Sequence, residues 1–370
     1  MKIIFISNYL NHHQKPLCDN LYSKLNGNFN FISLNVIPLE RLQLGYEDYS
    51  KVFYNRDYIK NFDECKKLIH EADVLIIGSA SISFSLKYIN SKKIIYFYSE
   101  HNFKKIDLKT NFIKLFLYSL LKYILGFMKN TYILSASSHL PNEWPIKSYK
   151  NKIFKWGYFP YSNLKNRNSY SNRKKLLILW VGRLISWKKP EFTISLAKKL
   201  KQSKINFKIL MIGRGPLENK MINLIQADNL TSRIKILGSI NNRKVIDYMR
   251  RSTIFLMSSD KNEGWGAVVN EAMECGCIVM TTNNPGSANY LIENSFNGFI
   301  FKKLDSEIFT NKIKEIYNNK KMIKLISTRA FKTINNLWNP KNAAKRLVFT
   351  TLRLLKGRNH FYKNGPMSKA

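Results

Sequence analysis

The fold is decided by the stretch L-L-I-L-W-V-G-R-L-I-S-W-K-K at residues 176–189. Its first six residues are an apolar run that predicts a strand, and Gly182 follows as a turn. Similar runs, each followed by a helical pattern, occur at 207–212, 234–238, 253–258 and 277–281. Strands that alternate with helices favour a parallel sheet with crossover helices. The second half of the chain is therefore predicted to be a doubly wound α/β domain.

The first half shows the same alternation. Its strand-like runs lie at 2–7, 31–37, 73–79 and 93–98. We expect an N-terminal Rossmann-like domain at 1–165, a polar linker at 166–175, a C-terminal Rossmann-like domain at 176–337 and a tail at 338–370. The tail begins with a helix pattern that Asn339 and Pro340 open, and we expect it to pack back on the N-terminal domain.

Composition limits the class of protein. The chain has 370 residues, 45% of them apolar, which excludes wholesale disorder. Lys and Arg number 61 against 24 Asp and Glu, a formal charge of +37, so a polyanionic partner is expected: nucleic acid, anionic lipid or a phosphorylated substrate. The first apolar run is too short for a secretory signal, and four scattered cysteines complete no zinc site, which predicts a cytoplasmic protein with reduced thiols.

Two cations follow the strand at 176–181. Arg183 comes directly after Gly182, and Lys188 lies five residues further on. Ligands of open α/β sheets bind at the carboxyl ends of strands, so both cations are expected to face a cleft. A guanidinium forks onto phosphate oxygens and an ammonium adds a point charge, which together stabilise a departing diphosphate.

A second segment, E-G-W-G-A-V-V-N-E at residues 263–271, places two carboxylates around a glycine pair. Gly264 and Gly266 allow a ligand to approach the backbone, and the helix that follows offers amide groups to an anion. Glu263 on the loop and Glu271 in the helix are placed to hold hydroxyl groups on either side of a phosphate, as a nucleotide-sugar requires.

With the turn M-I-G-R-G-P-L-E and the later E-N-S-F-N-G-F-I, these motifs resemble the C-terminal half of the family 4 retaining glycosyltransferases from Leu176 to Phe301. That family has the GT-B architecture, two Rossmann-like domains facing each other across a cleft. The resemblance implies transfer of a sugar from a UDP- or GDP-sugar to a cell-surface glycan or polyprenyl-linked acceptor, with no metal and no further cofactor.

The resemblance also implies roles for individual residues. Arg183 and Lys188 would contact the donor diphosphate, Glu271 the ribose hydroxyls and Glu263 the donor sugar near the reacting carbon. The expected donor-binding residues are completed by Gly182, Gly213, Leu237, Gly264, Trp265, Gly266, Ala267 and Val268. Where the family often has Phe-Gly-Leu-Pro, this chain has Trp265 to Val268, which alters the shape of the pocket and not its charge.

The N-terminal half departs further from the family, because N-Y-L-N-H-H-Q-K-P stands where a glycine-rich loop is common. Asn11, His12 and His13 are therefore acceptor-side candidates, and Glu100 is a fourth. His101, after the strand at 93–98, resembles by position a histidine that approaches the donor sugar in some relatives, and we count it as a catalytic candidate.

Two further readings remain open. Residues 110–129 carry Lys114, Tyr118, Lys122 and Lys129 on one helical face, which suits either a mostly buried helix or contact with an anionic membrane surface. The positive charge also suits a nucleic-acid-binding protein, although no specific nucleic-acid motif is found, and a GT-B epimerase is another alternative.

Overall fold

The computed structural model describes residues 1–43, 46–78, 88, 91–100, 120, 123–143, 148–160 and 176–370. The chain divides into two compact units. The first consists of Met1–Tyr161 with Leu337–Ala370, and the second of Ser162–Asn336. The linker predicted at 166–175 lies outside the described residues, as do Lys114, Tyr118 and Lys122.

The described residues of the first unit form a seven-stranded parallel sheet with the order β3-β2-β1-β4-β5-β6-β7. Its strands are β1 Ile3–Ser7, β2 Phe29–Ser33, β3 Asn55–Asp57, β4 Val74–Ile77, β5 Ile94–Ser99, β6 Thr131–Ser135 and β7 Ile153–Lys155. Helices α1 Lys15–Lys24, α2 Leu39–Gln43 and α3 Phe62–Glu71 connect the first four strands. All five residues of β1 are buried, because parallel strands covered on both faces need apolar side chains in both directions.

The described residues of the second unit form a six-stranded parallel sheet with the order β10-β9-β8-β11-β12-β13. Its strands are β8 Leu176–Val181, β9 Phe207–Ile212, β10 Ile234–Ile236, β11 Ile254–Met257, β12 Ile278–Thr282 and β13 Phe299–Phe301. Its helices are α4 Phe192–Gln202, α5 Glu218–Ala227, α6 Asn242–Arg251, α7 Val268–Glu274, α8 Ala288–Leu291, α9 Ser306–Asn318 and α10 Lys320–Lys332.

In both sheets the order of the strands reverses next to the first strand, while all strands stay parallel. In the second unit, β8 pairs with β9 on one side and with β11 on the other, through Leu176 with Phe207 and Ile254 with Ile178. This is the strand order of dinucleotide-binding folds, in which ligands bind outside the carboxyl ends of the strands at the reversal point. A ligand site is therefore expected at the loops after β8 and β11.

The last helix, α11 Pro340–Leu355, belongs to the first unit. The Asn339 side chain caps it by accepting the backbone N–H of Asn342 at 2.8 Å. Its buried face packs on α1, and the hydroxyls of Tyr96 and Thr351 are hydrogen-bonded at 2.9 Å. This contact fixes which side of α11 faces the sheet.

The structure corrects one predicted strand. The apolar-rich run F-I-S-L-N-V-I predicts a strand at 31–37, whereas β2 covers Phe29–Ser33. The neighbouring strand β3 ends at Asp57, which is the register partner of Ser33. Beyond that point the apolar pattern continues without a sheet to enter, and Val36 is 72% exposed.

Candidate active site

Glycine backbone packs the loops after β8 and β9 against each other. The Gly182 amide donates to the Ile212 carbonyl at 3.0 Å, and the Leu184 amide donates to the Arg214 carbonyl at 2.9 Å. Gly213 has a φ of +136°, and a Cβ at this position would overlap the Gly182 carbonyl. Gly213 is therefore needed for this backbone contact, which holds residues 182–185 at the sheet edge.

Arg183 follows Gly182 directly and is exposed. Its guanidinium carbon lies 5.7 Å from the centroid of the Trp187 ring, a cation–π contact. No ion pair with an acidic side chain is found for Arg183 within the described part of the chain. The charge is held beside an aromatic ring without being neutralised, as a group that receives an anion should be.

Lys188 joins the two motifs found in the sequence. It ends a short 3₁₀ turn, Ser186–Lys188, after which Lys189 turns the chain with a φ of +48°. Its ammonium forms an ion pair with the Glu263 carboxylate, and the two side chains are 16% and 12% exposed. The loops after β8 and β11 therefore meet at one point at the reversal of the sheet.

A buried hydrogen-bond chain supports the Lys188 turn. The Trp180 indole N–H, on β8, donates to the Ser258 hydroxyl at 2.9 Å, and that hydroxyl donates to the Lys188 carbonyl at 2.7 Å. The Asp260 amide also donates to the Trp187 carbonyl at 2.8 Å. Ser258 comes directly after β11 and is fully buried. These bonds fix the height of the turn above the sheet.

The segment from Gly264 to Gly266 is clamped into the unit. The carbonyls of Gly264 and Trp265 accept the amides of Gly286 and Ser287 at 2.7 and 3.0 Å. The Trp265 indole is 1% exposed, and its N–H donates to the Asn270 side chain at 2.8 Å. Trp265 therefore contributes to the site from beneath, as a support for the loop.

Free backbone amides lie at the start of α7. Gly266 has a φ of +77°, and an ideal Cβ built on it would lie 3.6 Å from Cγ of Glu263. Across the described residues, no acceptor is found for the amides of Gly266, Ala267 and Val268. These donors lie beside the Lys188–Glu263 pair, so cation and amides are available to the same ligand.

Glu271 lies one turn into α7 and is 8% exposed. Burial, followed by the nearby Glu274 carboxylate, raises the pKa of Glu271 to about 7. A buried carboxyl without a cation beside it costs free energy when ionised. A ligand that donates hydrogen bonds to this group would relieve that cost.

The remaining donor-side candidate, Leu237, lies on the loop after β10. Its amide donates to the Met211 carbonyl at 2.8 Å, and its side chain is half-buried. The next residue, Gly238, has a φ of +68° and its carbonyl accepts the Gly213 amide at 2.9 Å. The three loops after β8, β9 and β10 are thereby linked by backbone hydrogen bonds.

The acceptor-side candidates lie in the first unit, after β1. The Asn11 side chain accepts the amides of His13 and Gln14 at 3.0 and 3.2 Å, so Asn11 stabilises the turn that precedes α1. The rings of His12 and His13 lie 3.8 Å apart between centroids. Burial lowers the pKa of His12 to about 4 and the pKa of His13 well below its ordinary value. Both imidazoles are therefore neutral at pH 7.

Tyr158 and Glu100 lie beside the two histidines after β1. The His13 ring stacks on Tyr158 with 5.6 Å between centroids, and the Tyr158 hydroxyl is hydrogen-bonded to the Glu100 carboxylate. Burial raises the pKa of Tyr158 well above its ordinary value, so the hydroxyl stays protonated. Nδ1 of His13 is buried and has no hydrogen-bond partner in the described part of the chain. His101 lies outside the described residues.

No group of three or more His, Cys, Asp or Glu side chains within the described ranges is arranged to hold a metal ion. The chemistry available in the second unit is that of cations, free amides and two carboxylates.

Comparison with known proteins identifies a related family. Residues 163–333 match the family model for glycosyl transferases group 1. The matched range contains Arg183, Lys188, Glu263 and Glu271 together with the six-stranded sheet. The resemblance predicted from the motifs is confirmed for this group, while the assignment to family 4 stays a prediction.

Individual proteins show the same likeness. An uncharacterized glycosyltransferase of Methanocaldococcus jannaschii is 30% identical over 148 residues, covering 40% of each chain. An N-acetylgalactosamine-N,N'-diacetylbacillosaminyl-diphospho-undecaprenol 4-alpha-N-acetylgalactosaminyltransferase of Campylobacter jejuni is 28% identical over 156 residues, covering 40% of this chain and 41% of the relative. The matches thus span less than half the length of these two relatives.

Among solved structures, Anabaena Alr3699/HepE in complex with UDP-glucose superposes with a TM-score of 0.63 at 15% identity, covering 94% of this chain and 99% of that one. At this identity the likeness shows the fold. Together with the two parallel sheets, it confirms the predicted GT-B fold class.

Three contributors to these sites were missed in the sequence: Ser258, Asn270 and Tyr158. Ser258 accepts a hydrogen bond from Trp180, Asn270 accepts one from Trp265, and Tyr158 stacks on His13. Their residue types carry no signal of their own, since a serine after a strand or a tyrosine in a loop is common. Only the fold brings each of them to its partner.

Proposed function

We propose that this protein is a retaining glycosyltransferase that moves a sugar from a UDP- or GDP-sugar to a glycan or polyprenyl-linked acceptor. The observation that carries the proposal is the meeting of Lys188 and Glu263 at the reversal point of the second sheet. It brings a diphosphate-binding cation to a carboxylate suited to sugar hydroxyls, next to three free amides.

In the proposed reaction the donor diphosphate lies against Arg183, Lys188 and the amides of residues 266–268. As the bond from the sugar to the diphosphate breaks, negative charge grows on the leaving oxygen. Donors already held in place stabilise that charge, and removing one such donor typically costs about 10²–10³ in rate. The leaving diphosphate then accepts the proton of the attacking hydroxyl on the same face of the sugar, which retains the configuration.

The carboxylates hold the rest of the donor. Glu271, on α7, accepts hydrogen bonds from the ribose hydroxyls, and Glu263 accepts them from the sugar. As the diphosphate binds to Lys188, the ion pair between Lys188 and Glu263 is lost, and the Glu263 carboxylate accepts a hydrogen bond from a sugar hydroxyl instead. The ion pair with Glu263 keeps Lys188 at low exposure, and the diphosphate replaces the carboxylate as its partner.

The acceptor class is supported by the Campylobacter relative, whose name includes a diphospho-undecaprenol acceptor. No helix among the described residues is long and apolar enough to cross a membrane. We propose that the protein reaches such an acceptor from the cytoplasm as a peripheral membrane protein, attracted by its formal charge of +37.

A panel of UDP- and GDP-sugars tests the proposal. A donor present at 100 times its dissociation constant should stabilise the folded protein by about 2.7 kcal/mol. The stabilising donor is then incubated with lipid-diphosphate acceptors, and the anomeric configuration of the product is read by NMR. A protein that no nucleotide-sugar stabilises, or a product of inverted configuration, would contradict the proposal.

A further inference from the structure

The outward side of α11 combines exposed apolar and basic residues. Phe349 and Leu352 are each 44% exposed and Leu355 is 41% exposed. Lys341, Lys345 and Lys356 are also exposed. We call these six residues the outer face of α11. At about 100° per residue they fall within roughly one third of the helix circumference.

The opposite side of the helix is fully occupied. Its buried residues are Pro340, Ala343, Ala344, Leu347, Thr350, Thr351 and Leu354. They face α1 and β5, and the hydrogen bond between Tyr96 and Thr351 fixes the rotation of the helix. Because small and apolar residues already form a complete buried stripe, Leu352 and Leu355 are not needed for the core, and Phe349 contacts the His360 and Tyr362 rings of the tail.

The charged residues of the segment that contains this face have one sign. From Leu337 to Ala370 the chain contains eight Lys or Arg and no Asp or Glu, and the last acidic residue of the protein is Glu315. Exposed cations elsewhere in the protein are paired in part, as Lys198 is with Asp228 and Lys220 with Glu191. Nothing in the sequence of this segment neutralises its cations.

We propose that the outer face of α11 lies on an anionic lipid bilayer. Aliphatic and aromatic side chains of an interfacial helix enter the boundary between headgroups and acyl chains, while lysines bind the acidic headgroups. Leu352 and Leu355 favour this partner over nucleic acid, because bases stack on aromatic rings and not on leucine. A second copy of the chain is disfavoured, since it would bring two positive faces together. The inference rests on the peripheral membrane partner proposed above and names the surface that makes the contact.

Co-sedimentation of the full chain with vesicles tests it. Vesicles of phosphatidylglycerol and phosphatidylcholine are compared with vesicles of phosphatidylcholine alone, at low and high salt. One variant combines Phe349→Ser with Leu352→Ser, and another combines Lys345→Glu with Lys356→Glu. We expect the unchanged protein to bind the anionic vesicles in a salt-sensitive manner, and each variant to lower the partition coefficient at least about tenfold.

Matched controls carry the same changes on the second unit. Ile222→Ser with Ile308→Ser removes apolar residues that are 38% and 46% exposed. Lys208→Glu with Lys235→Glu removes two exposed cations of β9 and β10. These controls should lower binding by less than about threefold, because a general change in charge acts more weakly than a change at the contact.

Equal binding to the two kinds of vesicle, unchanged binding of the α11 variants, or an equal loss in the controls would each overturn the inference. So would retention of vesicle binding with loss of oligonucleotide binding in the α11 variants. Nucleotide-sugar binding in solution is measured on the same proteins. If it persists while vesicle binding fails, the membrane face is wrong and the transferase proposal stands; if no nucleotide-sugar binds at all, the transferase proposal fails separately.

Discussion

The two sheets share a strand order but carry different chemistry at their carboxyl ends. In the second unit, charged groups meet there: Lys188 pairs with Glu263, and Arg183 lies on Trp187. In the first unit, the residues after β1 include two neutral imidazoles whose rings contact each other at a tilt of 47°, and the His13 ring stacks on Tyr158. A charged edge suits the diphosphate of a donor, and an aromatic edge with neutral imidazoles suits the variable surface of a sugar.

The comparison also explains the range of the family match. A diphosphate is bound largely by backbone amides and by glycines that bring loops together, which restricts the sequence to a narrow pattern. An acceptor is bound by side chains that differ from enzyme to enzyme. The model for glycosyl transferases group 1 accordingly covers 163–333 and not the strand ends of the first unit.

The largest expected effect is on the charged edge. Arg183→Ala or Glu271→Ala should lower the rate of transfer by about 10²–10³, because each removes a group that holds the donor or its leaving diphosphate. The far-ultraviolet circular dichroism spectrum should stay unchanged, and Lys208→Ala, a distant exposed cation, serves as the control. Normal transfer by either purified variant would remove the distinction between the two edges.

The next effect concerns Glu271 and pH. Its pKa in the folded protein is about 7, above the ordinary value of 4.5. Stability from the protonated group is complete below pH 4.5 and is lost as the pH rises through 7. The loss is on the order of 3 kcal/mol.

Urea unfolding at pH 5 and pH 8 measures this loss, and Glu271→Gln should abolish most of the difference. In the same protein, affinity for a nucleotide-sugar should rise as pH passes from 6 to 8, because the ionised carboxylate accepts both ribose hydroxyls. An equal pH dependence in the Gln variant would assign the effect to other groups.

A smaller effect is expected at Ser258. Ser258→Ala leaves the buried Trp180 N–H without its acceptor and the Lys188 carbonyl without its donor, which should cost about 1–3 kcal/mol of unfolding free energy. The Lys188 turn should also lose its fixed position and transfer should slow. Ser258→Thr keeps the hydroxyl and should restore most of both properties. If Ser258→Thr restored the unfolding free energy but not the rate of transfer, the hydroxyl alone would not account for the position of the Lys188 turn.

The smallest effect is expected on the aromatic edge of the first unit. Tyr158→Phe removes the hydrogen bond to Glu100 and keeps the ring that stacks on His13. Stability should fall by only about 1 kcal/mol, since one hydrogen bond is lost. The KM for the acceptor should rise while affinity for the nucleotide-sugar stays the same. A change in donor affinity would show that the two edges do not divide the substrates in this way.

The doubly wound sheets could be predicted because long apolar runs such as residues 176–181 alternate with helical patterns. Three strands that were not predicted, β3, β7 and β13, have three residues each, too few to show a period of two. β10 is equally short, but its sequence I-K-I-L-G alternates and ends in a glycine. The fourth strand that was not predicted, β6, has five buried residues and no distinct flanking pattern. Short strands form because longer neighbours present an edge to them, and that edge is not visible in the local sequence.

The candidate site was predictable to a different degree in each unit. Glycine spacing and the two glutamates identify a loop of the second unit, because they stand together in one short segment, residues 263–271. The hydrogen-bond chain from Trp180 through Ser258 to Lys188 links residues distant in sequence and has no local signature. His12 and His13 were identified by position alone, and the stacking of His13 on Tyr158 depends on burial that only the fold supplies.

The most direct test of the central claim is isothermal titration calorimetry of a nucleotide-sugar with the full chain and with single variants of Arg183, Lys188, Glu263 and Glu271. If these four groups form one donor site in the second unit, each alanine variant should bind at least about tenfold more weakly than the unchanged protein. Variants of His12 and Lys208 should bind normally. Unchanged affinity in the four variants, or weakened affinity in the His12 variant alone, would contradict the account.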